Sequence, residues 1–131
     1  ELSRLTGADR ADIEARRLTH ARGAARSLGV TVLLKGSTTV ICSPPDSPWA
    51  RPDRVNSTGT PWLATAGSGD VLSGMIGALL AAGLPTAEAA AAGAFVHARA
   101  AALSAADPGP GDAPTSASRI VGHIRAALAT L

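Results

Sequence analysis

The sequence predicts an α/β protein with a small sheet and several helices, and three observations carry that reading. Near the N-terminus, apolar residues recur at roughly helical spacing among arginines. Two β-branched apolar runs follow within residues 30–43, and three helical patterns then occupy the C-terminal half. Strands this few fall short of a doubly wound sheet, so the chain reads as part of a larger α/β domain. At 131 residues, 46% hydrophobic and 17% charged, residues 1–131 are expected to form a single globular domain.

The first element is the stretch Ala8–Val30, with Ile13, Leu18, Ala21, Ala25 and Leu28 along one stripe. Asp9 or Asp12 suits its start and Gly29 its stop. "VTVLLKG" (Val30–Gly36) is apolar without alternation, as for a strand covered on both sides. "TTVICS" (Thr38–Ser43) is a second strand, which makes residues 30–43 a hairpin around Lys35, Gly36 and Ser37. Five prolines and Gly59 make residues 44–61 turn-rich, with one short edge strand near Val55. A helix after the glycine loop carries Val71, Leu72, Met75, Ile76, Leu79 and Leu80, and ends at Gly83-Leu84-Pro85. Thr86 is placed to cap the next helix, Ala87–Ala106, an alanine-rich stretch whose larger contacts are Phe95, Val96 and Leu103. After the loop Asp107–Pro114 comes a last amphipathic helix, capped by Thr115 or Ser116.

Composition narrows the function classes. A net charge of +2, no tyrosine and one phenylalanine leave no basic, aromatic surface for nucleic acid. Cys42 is the single cysteine, so neither a disulfide framework nor a cysteine metal site is expected, and a reducing, cytoplasmic setting fits. His20 and His123 lie on helix faces without partners at metal spacing, and His97 suits a packed core. The uncharged run Val71–Ala87 holds three glycines and Pro85, which favours a buried helix and turn over a membrane span. Glu1 opens in polar company, so no targeting segment is expected.

The chemistry concentrates in "ATAGSGDVLSG" (Ala64–Gly74). Successive amides of a glycine turn that opens a helix form an anion site, and Gly67 and Gly69 let a phosphate approach the backbone closely. The turn alone serves equally well as a flexible helix start with Asp70 as its cap. Asp70 adds a carboxylate that can take a proton from a hydroxyl attacking a phosphoryl group. Lys35 is the only lysine, at the end of an apolar strand beside Gly36, Ser37, Thr38 and Thr39. Alone it reads as a surface lysine; a second anion-binding candidate in one short chain raises its weight. Asn56, Thr58 and Gly59 are turn formers first and ligand contacts second.

"LLKGSTTVI", followed by "NSTGTPWLATAGSGDVLSGMIGALLAAGLPTAEAAAAGAFVHARAA", resembles the C-terminal half of the NAD(P)HX dehydratases, ADP- or ATP-dependent repair enzymes of the ribokinase-like superfamily. The likeness runs from "ELSRLTG" nearly to the end. It implies a ribokinase-like three-layer domain, of which this chain is the C-terminal half. It also implies dehydration of (6S)-NAD(P)HX to NAD(P)H, with ADP split to AMP and phosphate. Asp70 matches the family's base at the damaged nicotinamide, and Gly69 a glycine at the nucleotide phosphates. Lys35, Gly36, Ser37, Thr38 and Thr39 match the segment lining the adenine nucleotide's site, while Asn56, Thr58 and Gly59 match the turn before the glycine loop.

The implied ligands are ADP or ATP with Mg2+ and the hydrated cofactor as substrate, with no nucleic acid and no membrane. ADP is favoured by the bacterial style of the composition. A homo-oligomer, or association with the missing half or a fused epimerase domain, is the expectation for partners. The family's domain is about twice this length, and the glycine and acid that often follow the His97 position are replaced here by "ARAAAL". Two other readings stay open: a thiazole- or hydroxymethylpyrimidine-type kinase of the same superfamily, and a non-catalytic nucleotide-binding remnant.

Overall fold

In the computed structural model, which describes residues 1–131, the stretch Ala8–Val30 forms two helices rather than one, and a further short helix precedes it. These are α1 (Leu2–Thr6), α2 (Arg10–Ala15) and α3 (Arg17–Leu28). Asp9 caps α2 by accepting from the amides of Ala11 and Asp12 at 2.9 and 3.1 Å. The expected single helix breaks at Arg16, whose φ of −130° and ψ of 46° end α2 and open α3 without any glycine or proline. Gly29 stops α3 in the left-handed region, φ 67°, and returns its N–H to the Ala25 carbonyl at 3.0 Å.

The hairpin is shorter than its sequence pattern. β1 (Val32–Leu34) pairs antiparallel with β2 (Thr39–Cys42), setting Val32 opposite Cys42, Leu33 opposite Ile41 and Leu34 opposite Val40. β3 (Arg54–Asn56), the expected strand near Val55, completes a sheet of order β1-β2-β3. Alternation puts Val32, Leu34, Val40 and Cys42 on one face, where α3 lays Ala21 and Ala25 against them. A second apolar cluster joins Leu2, Ile13 and Ala24 to Val32 and Leu34. Burial on both faces holds for β2, where Val40, Ile41 and Cys42 are all buried. It does not hold for β1, whose three residues stay half-buried because that strand is an edge of the sheet.

Contacts along the chain divide it into two compact units, Glu1–Val55 and Asn56–Leu131. The second begins with a 3-10 turn, Pro61–Leu63, and continues into α4 (Ser68–Ala81), α5 (Thr86–Ala106) and α6 (Ala117–Leu128). α5 packs on both α4 and α6. The core here is Val96, Ala100, Ala101, Ile120 and Ala127, with Leu63, Val71, Met75, Leu103 and Ile124 around it. Although α5 has the length and mean hydropathy of a membrane span, twelve of its residues are buried, which gives its apolar character a use within this unit. His97 is among them, at 5% exposure. Two expectations shift: Pro85 rather than Thr86 occupies the position before α5, and Phe95 and Leu80 lie at the surface. Of the two caps expected for α6, Ser116 is the one used.

Candidate functional site

The residues singled out in the sequence fall into two groups, one on each unit. In the first unit, Lys35, Gly36, Ser37, Thr38 and Thr39 form the bend that joins β1 to β2. Lys35, Gly36 and Ser37 are exposed, while Thr38 and Thr39 are half-buried. The bend is held from below by a residue that sequence reading passed over as part of a solvated face. Arg17, the first residue of α3, donates from Nη2 to the carbonyls of Leu34, Lys35 and Thr38 at 3.1, 2.8 and 2.9 Å. Its other branch, Nη1, reaches Glu14 Oε2 at 3.1 Å. A Cβ on residue 36 would lie 2.4 Å from the Arg17 guanidinium, so any other residue there would push that group aside. Nothing in the local pattern announces Arg17, because its partners stand 17 to 21 residues away.

In the second unit, Asn56 ends β3 and turns the chain by accepting the Thr58 amide at 3.1 Å and the Thr58 hydroxyl at 2.5 Å. Thr58 and Gly59 are exposed. The glycine loop then closes on itself. Gly67 caps α4 with φ 81°, a conformation that side-chain-bearing residues rarely adopt, and a Cβ there would press on Ala117 Cβ at 3.2 Å. Its carbonyl accepts the amides of Asp70 and Val71 at 3.1 and 3.2 Å. Ser68 turns inward and donates its hydroxyl to the Leu63 carbonyl at 2.7 Å, fastening the start of α4 to the 3-10 turn. It is buried, so it serves the fold.

That leaves Gly69 and Asp70 on the first turn of α4. Gly69 is half-buried and Asp70 exposed. The Ser68 and Asp70 amides already donate to the Thr65 and Gly67 carbonyls at 3.2 and 3.1 Å, which leaves the Gly69 amide at the helix mouth, where the dipole adds positive potential. The arrangement can therefore receive an anion at the backbone beside a free-standing carboxylate. Two groups elsewhere are shifted by their surroundings. Burial, then the Asp53 carboxylate, pushes the Cys42 thiol up to about 12. The Arg16 hydrogen bond, followed by that of His20, holds Asp12 below the usual carboxylate range.

A family model described as NAD(P)H-hydrate dehydratase matches residues 1–123. The bifunctional NAD(P)H-hydrate repair enzyme Nnr of Mycobacterium leprae (strain TN) is 65% identical over all 131 residues, which cover 26% of that protein. The ADP-dependent (S)-NAD(P)H-hydrate dehydratase of Neisseria meningitidis serogroup B is 46% identical over 101 residues, 77% of this chain and 32% of that one. Among solved structures, the Bacillus subtilis ADP/ATP-dependent NAD(P)H-hydrate dehydratase co-crystallised with ATP/Mg2+ superposes with a TM-score of 0.83 at 25% identity. It covers 98% of this chain and 44% of its own. The chain thus spans about a quarter of the mycobacterial relative's length and under half of the B. subtilis enzyme. The fold is the mixed α/β, ribokinase-like one of that enzyme, here in part. By sequence and by fold, this chain belongs to the NAD(P)H-hydrate dehydratase family.

Proposed function

We propose that this chain carries the base and nucleotide-binding segments of an enzyme that returns (6S)-NAD(P)HX to NAD(P)H at the expense of ADP. The observation that carries the reading is Asp70, an exposed carboxylate on the first turn of α4, directly behind a left-handed glycine. Gly67 and Gly69 leave the backbone open to phosphate, and Lys35 to Thr39 line the adenine nucleotide. Asn56, Thr58 and Gly59 shape the turn before the loop and contact the ligand more loosely. Asp70 accepts the proton of the hydrate's hydroxyl as that oxygen attacks the terminal phosphoryl group of ADP, which releases AMP. The phosphorylated oxygen then leaves as phosphate, the adjacent ring carbon gives up a proton to solvent, and the ring double bond is restored. Amides at the helix mouth stabilise charge on the transferring group, and Mg2+, which prefers phosphate and water oxygens, would be carried on the nucleotide. The setting is cytoplasmic, where the reduced cofactors are used, and an epimerase domain elsewhere in the longer protein would supply the reactive epimer.

The test is recovery of reduced-nicotinamide absorbance from hydrated NADH with ADP, and separately with ATP, by the longest protein containing this chain. Asp70→Asn keeps the shape and removes the base. Turnover is expected to fall by about 10²–10⁴-fold, with ADP affinity kept. Turnover near that of the parent would refute the role of Asp70, and a lasting phosphoester without returned NADH would identify a kinase instead.

A further inference from the structure

We infer that Arg17 is the positioning residue of the Lys35–Thr39 bend, and that it sets the enzyme's affinity for the nucleotide without touching it. The inference rests on the assignment of that bend to the adenine nucleotide. Its warrant is the convergence of three backbone carbonyls, those of Leu34, Lys35 and Thr38, on one guanidinium nitrogen within 3.1 Å. The Arg17 side chain is only 16% exposed, and Glu14 steadies its second branch. A bend drawn around a cation in this way has a defined polarity. In a planar trans peptide the N–H lies opposite the C=O. The peptides whose carbonyls face Arg17 therefore turn the amides of Lys35, Gly36 and Thr39 away from it. Lys35 and Gly36 are exposed, which leaves these turned-away amides at the surface of the bend.

Outward amides over a fixed positive charge form a cradle for the oxygens of an anionic or polar ligand. Without the guanidinium, three carbonyls would lose a common donor, and the bend could rotate its peptides toward solvent. Lysine could restore the charge but not the planar group whose second branch is steadied by Glu14. Gly36 is the complementary half of the device. A Cβ at that position would stand 2.4–2.6 Å from the guanidinium atoms and would displace them.

The experiment uses the full-length protein containing this chain. ADP affinity is read by calorimetry, and KM for ADP, KM for the hydrate and kcat are read at steady state. Arg17→Met is expected to raise both Kd and KM for ADP about tenfold, the loss of charge-assisted hydrogen bonds, while hydrate KM and kcat stay within about twofold. Arg17→Lys should recover part of the lost affinity. Gly36→Ala should weaken ADP to a similar extent, and the two changes together no further than either alone, because both remove the same support. A purely structural arginine would lower the melting temperature of the variant without separating ADP KM from hydrate KM.

An ADP Kd within about twofold of the parent overturns the inference. It is read in Arg17→Met or, where that variant does not fold, in Gly36→Ala. A parent that binds ADP but does not dehydrate the hydrate defeats the proposed reaction alone, and the Arg17→Met affinity then decides the role of Arg17. A parent that binds no ADP overturns both.

Discussion

Cys42 is the residue whose chemistry the fold changes most. It has no exposed surface, sits on β2 against Ala21 and Ala25, and has its thiol pushed up to about 12 by burial and then by Asp53. An unfolded cysteine ionises near 8.5, so above that pH the unfolded chain loses a proton that the folded chain keeps. Stability contributed by the neutral thiol is therefore complete below about pH 8.5 and falls as pH rises toward 12, at a limiting slope of about 1.4 kcal/mol per pH unit. The chain has no tyrosine and one exposed lysine, so few other groups titrate in that window. Urea unfolding at pH 8, 9 and 10 should show the decline, and Cys42→Ala should flatten it. An equal slope in the variant would assign the decline to other groups. Burial of Cys42 was legible in the sequence because it follows from its place in an apolar strand. The same holds for the places of Gly67 and Asp70 at the start of α4, which depend on neighbours a few residues away. Arg17 was not legible, because its partners belong to the other end of a hairpin.

At the scale of elements, the helices and the hairpin could be read locally, though not Pro85 at the start of α5, and what was set by packing could not. The hairpin, α4, α5 and α6 follow from periodicity and from the glycines and prolines between them. The break at Arg16 has no such signal. Its neighbours explain it: Arg16 turns back to Asp12 through Nε at 2.7 Å, while Arg17 reaches forward to the bend after β1. The Arg17 contacts lie in the hairpin rather than in its own helix, and tertiary contacts override an otherwise good helical sequence. Packing also explains the alanines and glycines of α5, which let α4 come close. At Gly93 an added Cβ would meet Ile76 Cγ1 at 2.7 Å, inside any ordinary contact. Gly93→Ala gains helix propensity of about 1 kcal/mol but forces Ile76 aside, at a cost of about 1–3 kcal/mol for overpacking. The net expectation is destabilisation. Pairing it with Ile76→Val should recover stability, seen as a double-variant melting temperature above that of Gly93→Ala alone. A Gly93→Ala protein more stable than the parent would show that α4 and α5 can separate without loss.

For the whole molecule the decisive fact is that alanine supplies twelve of the twenty apolar residues in the core. Alanine buries little area, so the few large side chains carry a disproportionate share of the hydrophobic stabilisation. Ile120 is foremost among them. It is fully buried in the second unit, with Val96, Ala100 and Ala101 of α5 and Ala127 of its own helix. Truncating it removes three carbons from a cluster whose other buried members are Val96 and three alanines. Ile120→Ala should therefore cost about 2–5 kcal/mol, a large fraction of the 5–15 kcal/mol that holds an ordinary domain together. Trp62 lies in the same unit and Trp49 in the other, so a Trp49→Phe background makes the remaining indole a reporter of this core. Its fluorescence in a urea titration should show the midpoint moving down by about 1–3 M, with the slope preserved. A loss under about 1 kcal/mol would mean that the helices close over the missing side chain. The small residues of α5 would then serve mobility between helices rather than tight packing.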